Sequence, residues 1–121
     1  MKILVIYAHP SEVSFTSEVK NEFIRGLKEA GHTVEISDLY KMEFQETMTE
    51  QEYLREAFYR EDSPIPSDVI EEQRKINEAD VLAFIYPVFW TEAPAKLVGW
   101  FQRVWTYGFV YGDHPSMRVI P

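Results

Sequence analysis

The chain has 121 residues, 45% of them hydrophobic and 15% aromatic, the size and composition of one domain (1–121) able to bury a core. Its 20 acidic against 12 basic side chains leave a net charge of −8 with no basic stripe, so nucleic acid is excluded as a partner. The lack of cysteine excludes disulfides, thiolate metal sites and a cysteine nucleophile, and no apolar run reaches the roughly 20 residues that span a bilayer; a cytoplasmic location is the expectation.

The first predicted element is a strand over 3–7, where Ile3, Leu4, Val5, Ile6 and Tyr7 form the continuous apolar run of a parallel strand covered on both faces. It ends in a turn at Ala8, His9 and Pro10. A helix over 16–30 follows, with Val19, Phe23, Ile24 and Leu27 at helical spacing and Gly31 as its stop. Alternation of Val34 and Ile36 predicts a second strand over 33–37, completing a right-handed βαβ unit. Residues 41–66 read as a long, partly helical excursion whose acidic run is a solvated face. Ser67 and Asp68 can cap a helix through Asn77, with Glu71 and Glu72 early and Arg74 and Lys75 late, as the helix dipole favours. A third strand over 81–86 leads to an aromatic loop and a last helix from Glu92 or Ala93 to Thr106, with Pro94 tolerated in its first turn. Trp100, Phe101, Val104 and Trp105 form a stripe on that helix, read as core or dimer surface. The segment 107–112 reads as a turn or an aromatic flap, and the tail 112–121 as the approach to a further strand. His32 reads as structural, and His114 has no partner the sequence can name.

In an open α/β sheet, ligands settle beyond the carboxyl ends of the strands, at the point where strand order reverses. Two loops stand there. After the first strand, a helix N-terminus offers unpaired N–H groups to a phosphate, with Ser14, Thr16 and His9 as added donors; Ser14 as a plain N-cap and His9 as a turn residue are the competing uses. After the third strand, Pro87, Val88, Phe89 and Trp90 could lie against a flat heteroaromatic ring, or simply pack in a core or interface. No G-x-G-x-x-G or G-x-x-x-x-G-K is present to seat a Rossmann dinucleotide or a nucleoside triphosphate, and three scattered histidines make no metal cluster.

The combination of Ile6-Tyr7-Ala8-His9-Pro10 with Ser14-Phe15-Thr16, Ser37-Asp38-Leu39-Tyr40 and Glu72-Gln73-Arg74-Lys75 carries a resemblance, together with Tyr86-Pro87-Val88-Phe89-Trp90, Pro94-Ala95-Lys96-Leu97 and Gly99-Trp100-Phe101. These motifs resemble the NAD(P)H:quinone oxidoreductase family of flavodoxin-like reductases, over nearly the whole chain. The resemblance implies a flavodoxin-like α/β fold, a three-layer parallel sheet in the order 2-1-3, here truncated after the third strand and its following helix. It implies FMN or FAD as cofactor, NAD(P)H as co-substrate, a quinone-like acceptor and a homodimer. Transferred to this sequence, the residues at the flavin phosphate and ribityl region are His9, Ser14, Phe15 and Thr16. Those holding the isoalloxazine are Pro87, Val88, Phe89, Trp90 and Thr91, with Phe15 and Trp90 as pocket walls and no side chain assigned as an acid or base. Thr16 stands where the family usually has asparagine, and Glu92 where it has glycine or a small residue. The family's fourth strand and glycine-rich loop would fall past Pro121, leaving the third strand as an open edge that invites a second chain. Two other readings stay open: an interaction or regulatory module with weak or no flavin binding, and a one-electron carrier.

Overall fold

Because the opening apolar run is buried on both faces, it becomes the centre of the sheet rather than its edge. The computed structural model describes residues 1–112, in the order β1 (Lys2–Tyr7), α1 (Phe15–Glu29), β2 (Thr33–Asp38), α2 (Glu50–Ala57), α3 (Ser67–Glu78), β3 (Val81–Ile85) and α4 (Ala95–Val104). The tail from 113 onward, including His114 and the approach to a further strand, lies outside the described residues. The strands form one parallel sheet in the order β2-β1-β3, with Tyr7 opposite Asp38 on one side and Ile85 on the other. Paired amide contacts fix the start of β3: Asp80 N–H donates to Lys2 O at 2.7 Å, and Lys2 N–H donates to an Asp80 carboxylate oxygen at 2.7 Å.

Alternation along β1 sorts the core into two layers. Leu4, Ile6 and Ala8 face α3 and α4, packing with Val69, Ile76, Leu97, Trp100 and Val104. Ile3, Val5 and Tyr7 face α1, where Ile24 and Leu27 pack against them and the Lys20 ammonium lies over the Tyr7 ring, 4.5 Å from its centroid. Val19 and Phe23, expected on the same inward stripe, stay about 40% exposed (41% and 39%), since among the described residues α1 has no helical neighbour on its face. The aromatic stripe of α4 is core: Trp100 and Val104 are fully buried, and Trp100 meets Phe84, Phe101 and Trp105 ring to ring.

Several polar residues lie where their charge suggested solvent. In α3, positions 69, 72, 73 and 76 make one helical face, so Glu72 and Gln73 enter the core between Val69 and Ile76. Glu72 is fully buried and satisfied, accepting from the Trp100 indole at 3.0 Å and from Lys75 at 2.7 Å, while Lys75 also donates to buried Ser37 at 3.0 Å. Lys75 thus stands in the last turn, as expected, and also serves the core; Arg74 takes the outer face with Glu71, Glu78 and Glu35. The N-cap of α3 is Pro66, outside the expected Ser67-Asp68 pair. Asp68 accepts from the first-turn Val69 N–H at 2.9 Å and also forks onto Arg103 at 2.7 and 3.0 Å.

Arg103 also donates to Glu52 at 2.8 Å and to Gln45 O at 2.7 Å, with its guanidinium over the Phe44 ring. The acidic excursion is thus anchored, with Glu52 buried and held by a reciprocal capping box with Thr49 at the start of α2. Hydrogen bonds to Asp68 and Glu52 raise the guanidinium's proton affinity against the opposing effect of burial, and the Arg103 contact holds the Asp68 carboxyl below its usual range. The loop and α4 approach so closely at Gly99 that any Cβ there would collide with the Glu46 backbone. The last helix begins later than its sequence suggests, at Ala95 with Pro94 as N-cap, because residues 89–92 are taken up by a tight turn.

Candidate functional site

The loop after β1 is shaped by local hydrogen bonds. His9 Nδ1 accepts from the Ser11 N–H at 2.9 Å, which leaves the ring proton on Nε2, and Ser11 Oγ accepts from the Val13 N–H at 3.1 Å. Ser14, with extended backbone, caps α1 by accepting from the Ser17 N–H at 3.0 Å. Its hydroxyl oxygen is therefore engaged as an N-cap. The donors left over are the N–H groups of Phe15 and Thr16 in the first turn, at the positive end of a 15-residue helix, and the imidazole N–H of His9 in the loop before it. Thr16 is partly buried beside them.

The loop after β3 is a two-residue hairpin turn. Phe89 and Glu92 exchange both backbone hydrogen bonds, at 2.8 and 2.9 Å, and the central residues Trp90 and Thr91 are both left-handed, with φ of 50° and 69°. This is the backbone of a type I′ turn, which favours Asn-Gly and is strained for an indole followed by a β-branched residue. The turn uses the N–H and C=O of Phe89, and the Thr91 hydroxyl donates to Trp90 O. Ring-addressing groups expected over 88–91 thus narrow to the N–H groups of Trp90 and Thr91, which donate to nothing among the described residues. Glu92 is a partner in the turn; it neither caps α4 nor reaches inward.

The two loops meet. His9 and Phe89 stand edge to face with ring centroids 6.4 Å apart, across the boundary between β1 and β3. Around them the surface is apolar and open to solvent, with Phe15 at 85%, Val88 at 69% and Trp90 at 96% exposure, while Pro87 is half-buried. Among the described residues no ring contact joins Phe15 to Trp90, so they stand as two unclosed flanks and do not enclose a pocket. The cavity at this end of the sheet lies on the other side of His9, toward β2. It has about 190 Å³ and is lined by Tyr7, Ser11, Asp38, Tyr40 and Lys41 among others. Tyr7 and Asp38 carried no site signal alone; the one hint was that both end a strand. The segment 107–112 is a turn, packed through Tyr107 against Tyr59 and Tyr111, and Tyr111 donates to Glu56 at 3.1 Å. No described helix is long and apolar enough to cross a membrane.

Comparison with known proteins agrees with this geometry. The family described as Flavodoxin-like fold matches residues 1–119. The chain is 36% identical over 124 residues to a ribosyldihydronicotinamide dehydrogenase [quinone] of Rattus norvegicus, covering 91% of this chain and 53% of the relative. It is 33% identical over 123 residues to NAD(P)H dehydrogenase [quinone] 1 of Cavia porcellus, covering 91% and 45%. Among solved structures, an NAD(P)H:quinone oxidoreductase from Methanothermobacter marburgensis superposes with a TM-score of 0.91 at 52% identity, over 93% of this chain and 57% of that one. The chain spans about half the length of the relatives it matches.

Proposed function

This chain belongs to the family of flavodoxin-like folds, and on that premise we propose that it acts in a flavin-dependent NAD(P)H:quinone oxidoreductase. The observation that carries the reading is the meeting of His9 and Phe89, which brings the loop between β1 and α1 against a strained aromatic turn after β3. The residues fit a flavin. Unpaired N–H groups at Phe15 and Thr16 with the His9 Nε2–H suit an anionic phosphate, and the exposed faces of Phe15, Val88 and Trp90 suit a ring that water solvates poorly. FMN and FAD share these parts.

When bound, the flavin supplies the two-electron chemistry, taking a hydride from NAD(P)H and passing the electrons to a quinone-like acceptor. The chain's part is positional. The helix N-terminus fixes the phosphate, the N–H groups of Trp90 and Thr91 orient the ring edge, and the indole of Trp90 shields one flank from water. Thr91 stiffens the turn through its bond to Trp90 O. A homodimer belongs to the same proposal: β3 has β1 as its only strand partner among the described residues, and a second copy would cover that edge. A cysteine-free chain suits the reducing cytoplasm.

The test is flavin content followed by reduction. Purified protein, or protein reconstituted with FMN or FAD, should be yellow, bleach with NAD(P)H without oxygen and recover colour with a benzoquinone. Protein that stays colourless after reconstitution overturns the proposal in favour of a non-catalytic module, and a stable semiquinone during titration would favour a one-electron carrier.

A further inference from the structure

The cavity between the tips of β1 and β2 is not used by the phosphate and ring contacts above. Four observations mark it as a receiving site. First, Tyr7 and Asp38 lie opposite each other in the strand register, so a phenol and a carboxylate come from adjacent strand ends to one cavity of about 190 Å³. Second, Tyr7 is only 2% exposed and its hydroxyl has no hydrogen-bond partner among the described residues, although buried polar groups are nearly always paired. Third, Asp38 spends one oxygen on its own turn, accepting from the Lys41 N–H at 3.2 Å, and its other oxygen is unengaged among the described residues. Fourth, His9 and Ser11, hydrogen-bonded to each other in the loop that leads from β1 toward α1, line the same cavity.

A spare carboxylate oxygen beside a neutral phenol is a partner for hydroxyl donors. Two neighbouring hydroxyls could engage both, one donating to Asp38 and the other exchanging a hydrogen bond with Tyr7. A carboxylate at the end of the strand beside β1, one strand away from a helix N-terminus that takes phosphate, is also the arrangement by which open α/β sheets read a ribose. The sheet order β2-β1-β3 thus sets three stations in line: hydroxyl acceptor, phosphate donors, ring platform.

We propose that the cavity lined by Tyr7, His9, Asp38 and Lys41 binds the ribose diol of a ribonucleotide, with Asp38 as the acceptor that selects it. This deepens the cofactor reading above without depending on it, because a nucleotide alone can be tested on the flavin-free chain. The source of the diol is the adenylate half of FAD or that of the nicotinamide nucleotide.

The experiment titrates AMP and 2′-deoxy-AMP into the flavin-free protein by calorimetry, with Asp38→Asn and Tyr7→Phe beside it. Asparagine keeps the acceptor that Lys41 N–H needs, and circular dichroism checks each fold. AMP should bind, and 2′-deoxy-AMP should bind about tenfold more weakly, the scale of one hydrogen bond to a charged group. Asp38→Asn should abolish the difference between the two. Tyr7→Phe should weaken AMP while leaving the unfolding midpoint unchanged or higher, since it deletes a hydroxyl that pairs with nothing among the described residues. In the flavin-loaded protein, weaker retention of FAD but not FMN in Asp38→Asn assigns the diol to the flavin. A raised KM for the nicotinamide nucleotide with unchanged flavin retention assigns it to the co-substrate. Equal binding of the two nucleotides, no binding of AMP, or AMP binding indifferent to Asp38→Asn overturns the proposal, and flavin binding intact in that case leaves the reductase reading standing.

Discussion

The face of the sheet that carries α3 and α4 and the rim at the strand tips follow opposite rules. Below α4, a fully buried tryptophan, a buried carboxylate and a buried guanidinium are satisfied group by group. At the rim, Phe15 and Trp90 are left almost wholly in water, and the turn that carries Trp90 holds two non-glycine residues at positive φ. The first region spends its sequence on holding the chain together. The second gives up packing and backbone comfort, the pattern the proposed binding role of the rim accounts for.

Substitutions can break that contrast. The largest effect should come from Trp100→Ala, which empties the centre of the aromatic cluster and leaves Glu72 without its indole donor; a loss of about 4–5 kcal/mol in urea denaturation is expected. Arg103→Met should follow at about 3–4 kcal/mol, because Glu52 is left as a buried carboxylate without its cation, and protease cleavage within 41–66 should rise in parallel. At the rim the sign reverses. Replacing Trp90-Thr91 by Asn-Gly relieves the left-handed strain and should raise stability by about 1–2 kcal/mol while lowering flavin retention; equal flavin content in the double variant would remove Trp90 from the site. The smallest effect is tied to pH. Asp68 has its pKa lowered in the fold by Arg103, so its contribution is present above the unfolded-state value of about 4 and fades as pH falls through the folded value. Asp68→Asn should therefore cost stability at neutral pH, about 1 kcal/mol or less given the exposure of the carboxylate, with the gap to the parent closing in denaturation curves below about pH 4.

What could be read from the chain alone follows the range of the forces involved. The strands and α1 announce themselves through runs and periods of apolar residues, and each lies within a residue or two of its expected bounds. The dipole argument that placed residues 72 and 75 along α3 says nothing of burial, which shows only in the spacing of Val69, Glu72, Gln73 and Ile76 as one inward stripe. The capping box at Thr49 and Glu52 also lay in plain view as a T-x-x-E pattern, ahead of a helix that the acidic composition concealed. At the rim, the expectations at His9, Ser14, Phe15 and the 87–91 loop rest on family motifs, which are local in sequence. The cavity at Tyr7 and Asp38 was not, since it exists only once β1 and β2 have found their register.

The central position of β1 has a consequence for how the chain reaches this state. Its first partner, β2, is joined to it by contacts 31 residues apart, but closure on β3 must wait for contacts 78 residues apart. A ribosome adding roughly 5–20 residues per second leaves several seconds between the two events. Through that interval β1, paired on both edges in the finished sheet, has one paired edge and one bare edge, the arrangement most open to mispairing with another chain.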